Sequence, residues 1–238
     1  MRNVVTIPFD GAGTLIIASD NSGAIGMKKD DLVFASYETI AYYSFRVAVM
    51  ECMAAGGKPV SVIIHNFCGN EAWEKLTSGI QKGLNELHLK NIAITGSTES
   101  NFLLQQSAIG IIVIGQTPQG EMDKILFNEQ SKIAIIGKPL VGSEVIEQED
   151  QIAPLHIFQK ISGFQRTMVW PVGSKGILYE LNQMFQNKKF LTEQVNTDVD
   201  VLKSSGPATC FIALFQEDLE AEIKKMAGSY FHSVQIMG

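Results

Sequence analysis

Between residues 38 and 55 almost every position is apolar, and charge enters only at Glu38, Arg46 and Glu51. A helix that is apolar on all its faces belongs inside a protein rather than on its surface, so this stretch predicts a buried helix. Gly56-Gly57 and Pro59 supply its stop. Residues 60–64 then read as a buried strand. Ahead of the helix, β-like runs at 4–8, 14–19 and 32–37 predict a sheet that starts antiparallel. After it, a helix over 71–87 sets Trp73, Leu76, Ile80, Leu84 and Leu87 on one stripe and is expected to cover a sheet from outside. Residues 91–95 and 107–115 return as strands.

The polar, turn-rich stretch 116–128 separates this half from a second α/β-patterned half. There, strands are expected at 132–137, 208–215 and 233–237, and helices at 143–149, 153–161, 174–185 and 217–226. The fold class is thus α+β in two domains, 1–118 and 119–238. The chain has 238 residues, 45% apolar and 18% charged, which suits one large or two modest globular domains.

Nineteen basic against twenty-five acidic residues give a net charge of −6 without any concentrated basic face, so nucleic acid is not an expected partner. Cys52, Cys68 and Cys210 are odd in number and widely spaced, which argues against both a disulfide framework and a zinc knuckle and predicts a reducing, cytoplasmic setting. No segment approaches the apolar length of a membrane span or a signal peptide, so no membrane is expected as partner.

Chemistry has few places to sit. Asp10-Gly11-Ala12-Gly13 and Ser19-Asp20-Asn21-Ser22-Gly23 put carboxylates beside glycines at strand ends, where backbone N–H groups can approach an anion and a carboxylate can hold a hard cation. The same dipeptides also serve as plain turn formers. Glu51 shares a stripe with Ser44, Ala48 and Ala55, and a buried carboxylate must be paired, protonated or metal-bound. The run Thr95-Gly96-Ser97-Thr98-Glu99-Ser100-Asn101 directly follows a strand, as do His65-Asn66. Open sheets bind ligands at such ends, although a polar connection is the ordinary alternative. Val172-Gly173-Ser174-Lys175-Gly176 offers a further helix start suited to an anion or to simple Ser capping. There is no P-loop, no G-x-S-x-G, no H-E-x-x-H and no dinucleotide fingerprint.

Taken in order, these segments resemble the aminoimidazole ribonucleotide synthetase (PurM-like) superfamily. Asp10-Gly11-Ala12 stands at its first acidic turn, and Ser19 to Gly23 resembles its T-D-G-V-G segment. Glu51 with Ala55 to Pro59 matches N-D-x-x-x-x-G-A-x-P, and Thr95 to Thr98 matches G-G-[DE]-T. Ile136 to Gly142 resembles the opening of the family's second domain, and Ser204 to Thr209 is the one later piece that aligns. The resemblance implies ATP and Mg2+ as cofactors, with Asp10, Asp20 and Glu51 on the metal and Gly11, Asn21, Ser22, Gly23, Gly96, Ser97, Thr98 and Glu99 around the nucleotide. His65, Asn66 and Lys175 are weaker expectations for phosphate or substrate, and no catalytic base is named. It also implies a homodimer formed by pairing sheets. Ser97 departs from the pattern by occupying the acid's position.

Among members, selenophosphate synthetase uses a reactive cysteine or selenocysteine near its start, and none occurs here before Cys52. The hydrogenase maturation enzyme needs a C-terminal cysteine where this chain has Ile236-Met237-Gly238, and thiamine monophosphate kinase has a fuller set of aspartates. What remains resembles the compact α-ribazole kinase branch of cobamide salvage, implying phosphorylation of a nucleoside-like hydroxyl. The rival expectation is a non-catalytic nucleotide-binding sensor or accessory homologue.

Overall fold

In the computed structural model, which describes residues 4–9, 13–118, 126–128 and 130–237, strand β1 (Val4–Phe9) pairs antiparallel with β2 (Gly13–Gly23). A short parallel pair, β3 (Ile25–Gly26) and β4 (Val33–Phe34), leads into α1 (Tyr37–Ala54). Then come β5 (Lys58–Asn66), α2 (Trp73–Glu86), β6 (Ala93–Thr98) and β7 (Ala108–Thr117). The five long strands form one sheet in the order β1-β2-β7-β5-β6, antiparallel except for β5 and β6, which α2 connects. These elements make up the first of two units, within Asn3–Glu121.

The buried helix expected over 38–55 is α1. The Ser36 hydroxyl accepts from Thr39 N–H at its start, and its sheet-facing side lies on β2 and β7. Because α1 is capped from Ser36, the strand expected over 32–37 shrinks to Val33–Phe34. The stripe Leu76, Ile80, Leu84 and Leu87 of the next helix is buried as expected, but it packs along α1 rather than directly on strands. Gly79 makes that approach possible, since a Cβ there would lie 2.1 Å from the Glu38 carbonyl oxygen. Tyr42 of α1 reaches across to donate to Glu86 of α2 at 2.7 Å, and Arg46, one turn further, is fully buried.

The second unit, within Met122–Gly238, contains β8 (Ser131–Ile136), α3 (Glu144–Glu147), α4 (Leu155–Ser162), β9 (Thr167–Pro171) and α5 (Gly176–Met184). It continues with β10 (Val195–Asn196), β11 (Phe211–Gln216), α6 (Glu220–Ala227) and β12 (Phe231–Ile236). Its antiparallel sheet runs β10-β12-β8-β11-β9. Ile133, Ile135, Trp170, Leu181, Phe185 and Ile212 share its core. Strands β9 and β10 have no counterpart in the expectations from sequence. The three cysteines are free and buried, and among the described residues no helix is long and apolar enough to cross a membrane.

Candidate functional site

Strand parity decides which of the expected residues can meet. Ile16 and Ala18 of β2 are buried under α1, so the same face continues at Asp20 and Ser22. Across the sheet, Asp20 registers with Ile111, Ile64 and Gly96, and the next row joins Ser22, Ile109, Asn66 and Thr98. The intervening positions Asn21, Gly110, His65 and Ser97 form a row of their own on the opposite face, and Asn21, His65 and Ser97 are exposed there. The segment 20–23, legible as a turn, is therefore the extended end of a strand. β7 is long enough to pair it residue for residue down to Gly23 with Ala108.

Asp20 is the chemically distinctive member. Its carboxylate sits under α1, and burial drives its pKa up from 3.8 to about 6, against the hydrogen bonds that it accepts from the Asn21 N–H and the Ser44 hydroxyl. A carboxylate so poorly solvated gains from a cation. Glu51, which is buried, follows Ser44 by seven positions on the same helix, about 10.5 Å along its axis. Asp20 thus meets α1 at Ser44, and Glu51 lies about two turns further along the same helix. Asp10 and Gly11 lie outside the described residues. Among the described residues no three His, Cys, Asp or Glu side chains gather as a cation cage.

Several of the other expected residues have structural work that accounts for them. Asn66 is buried, its amide donating to Gly69 O at 2.8 Å and to Thr98 Oγ1 at 3.0 Å while its carbonyl accepts from Cys68 N–H at 2.8 Å. Glu99 caps its own loop, accepting from Asn101 N–H at 2.7 Å and Phe102 N–H at 3.2 Å. Gly96 is required by strand packing, because a Cβ there would lie 2.1 Å from Ile64 O. Gly23 borders open space. Lys175 belongs to the second unit, where its ammonium lies 4.4 Å from the centroid of the Tyr179 ring.

A network that no motif announces ties the loops at this end of the sheet together. Lys28 Nζ donates to the carbonyls of Phe67 at 3.0 Å, Leu104 at 2.9 Å and Gln106 at 3.4 Å. Asp31 accepts from Ser107 N–H and Oγ, both at 2.7 Å, and from Lys28 N–H at 2.8 Å. Burial works to raise the Asp31 pKa, but these bonds prevail and hold its carboxyl below the ordinary range. In sequence Lys28 is only half of a basic pair, since its partners lie up to 78 positions away.

The arrangement has solved counterparts. A crystal structure of thiamine monophosphate kinase from Aquifex aeolicus superposes with a TM-score of 0.64 at 10% identity, covering 100% of this chain and 89% of that one. The chain has their common fold. The same kinase complexed with AMPPCP and TMP gives 0.61 at 11% identity over 99% and 84% of the two chains. Hydrogenase maturation protein HypE in complex with ATP gives 0.57 at 10% identity over 93% and 77%. The two-domain α+β fold expected from the superfamily resemblance is thus found. No protein-family model matches the sequence, and no curated protein matches it.

Proposed function

We propose that the chain is an ATP-dependent small-molecule kinase whose nucleotide lies at the Asp20 end of the first unit's sheet. The observation that carries this reading is the half-buried Asp20 carboxylate, with its pKa raised to about 6, at a strand end of a fold shared with an AMPPCP-bound kinase and an ATP-bound HypE. Magnesium commonly takes one or two carboxylates and completes its shell with phosphate oxygens and water, so Asp20 fits such an ion without Glu51. When bound there, magnesium supplies charge neutralisation for the transferring phosphoryl group. Ser44 and the Asn21 N–H hold the Asp20 carboxylate in place, and Ser22, in the next row, is the next hydroxyl on the same face of the strand.

The acceptor we assign is a nucleoside-like hydroxyl, with α-ribazole the first to try, and the active form a homodimer joined through the open face of the first sheet. The test is incubation with magnesium ATP and α-ribazole, thiamine monophosphate and common nucleosides, with products read by mass spectrometry. A phosphorylated product that falls at least about tenfold in Asp20→Asn supports the kinase, since the lost cation contact is worth about 1.4 kcal/mol or more. Ser97, exposed on the face opposite Asp20 where the family carries an acid, favours the second reading of a nucleotide sensor. ATP binding without product across the panel selects that reading. Failure to bind ATP removes both.

A further inference from the structure

The loops tied together by Lys28 enclose a seat for a small cation. The main-chain carbonyls of Phe67, Leu104 and Gln106 converge on one point, 3.0, 2.9 and 3.4 Å from Nζ. An ammonium has three protons to donate and no lone pair, so its donors match these carbonyls in number. Main-chain carbonyls gathered in this way also replace the hydration shell of a potassium ion, and potassium and ammonium carry the same charge at a similar size. Here the ion is carried on a side chain.

The turn from which that side chain leaves is itself fixed. Lys28 N–H donates to Asp31 Oδ2 at 2.8 Å, Asp31 N–H donates back to the Lys28 carbonyl at 3.1 Å, and Gln106 Nε2 donates to the Asp30 carbonyl at 2.6 Å. The ammonium therefore reaches the seat from a preset position. Apolar burial does little of the holding, since the large side chains beside the seat are exposed, Met27 by 51%, Phe102 by 76% and Leu103 by 91%. The connection after β3, the start of the connection after β5 and the loop between β6 and β7 thus meet at one charge. They adjoin the strand ends that carry Ser22, Asn66 and Thr98.

We propose that these carbonyls form a monovalent-cation site in which the Lys28 ammonium is the resident ion, and that a free potassium or ammonium ion takes the seat when the side chain is shortened. The parent chain is then indifferent to the monovalent ion in solution. The inference goes beyond the kinase proposal and is read without nucleotide.

The experiment follows amide hydrogen exchange over residues 99–107 of the full chain in potassium, ammonium or choline chloride at equal ionic strength, choline being too bulky for the seat. In Lys28→Ala, exchange is expected to rise at least about tenfold in choline and to return toward the parent rate, saturably, as potassium or ammonium is added. Lys28→Met keeps a long uncharged stem in the path to the seat and is expected to be loosened in every salt. The parent should exchange at one rate in all of them. If Lys28→Ala does not fold in choline, recovery of its native circular dichroism with potassium supports the same site. Exchange unchanged in Lys28→Ala, loosening or unfolding that neither ion reverses, equal recovery in Lys28→Met, or a parent whose exchange depends on the ion overturns it.

Discussion

If Asp20 holds a cation as proposed, stability and binding conflict within one side chain. Its folded pKa of about 6 exceeds the ordinary 3.8, so the folded chain holds that proton more tightly than the unfolded chain. The associated stability is fully present below the lower value and is lost as pH rises through the higher one, a difference of roughly 3 kcal/mol. Asp20→Asn removes the ionised form, and the variant is expected to exceed the parent in urea stability by up to about 3 kcal/mol above pH ~7, with the gap closing below pH ~4. A variant less stable than the parent at the higher pH would refute the burial argument. Asp20 was legible because an acid beside small polar residues at a strand end is conspicuous. Its separation from Asn21 and Ser97 was not, because faces are fixed by how far β7 extends alongside β2, and no local spacing records that length. The Lys28–Asp31–Ser107 network escaped for a related reason, since its bonds close only after distant loops meet.

Among the elements, α1 was the most readable, because an all-round apolar helix with a capped start and a glycine stop has few alternatives. What it packs against was harder to read, since the stripe on α2 is apolar whether its partner is a strand or another helix. The contact of Gly79 with the Glu38 carbonyl is where the two helices come closest in kind to backbone on backbone. Gly79→Ala is therefore expected to destabilise the chain by about 1–3 kcal/mol despite alanine's better helix propensity, as measured by urea unfolding. An unchanged or raised midpoint would mean that the helices part without cost. Strand β10 was missed because it has only two residues, and β9 because it ends in a proline, which argues against a strand inside a sheet. Their strand character comes from neighbours, β11 for β9 and β12 for β10.

Over the whole molecule, the division into two α+β halves followed from the polar stretch between two patterned regions, and each half closes its own sheet. Among the described residues, the helices of the first unit lie on one face of its sheet only. Val5 is 60% exposed, Ile7 42% and Phe9 52%, in register with Ile17, Leu15 and Gly13 on the other face. Contiguous exposed apolar surface is a common feature of interaction sites. If two copies pair there, Ile7→Lys is expected to raise the dimer dissociation constant at least about tenfold in sedimentation experiments, with the circular dichroism spectrum unchanged. A parent chain that sediments as a monomer at micromolar concentration would exclude the pairing.

The alternation along β2 has a consequence for how such a protein could be tuned. One strand end presents Asp20 to the interior beneath α1 and its immediate neighbour Asn21 to the outside. The backbone between them is a partition a single residue thick, so if Asp20 holds the cation and the opposite face pairs two copies, drift at one position adjusts ligand chemistry and drift at the next adjusts assembly, and selection can act on either without passing through the other.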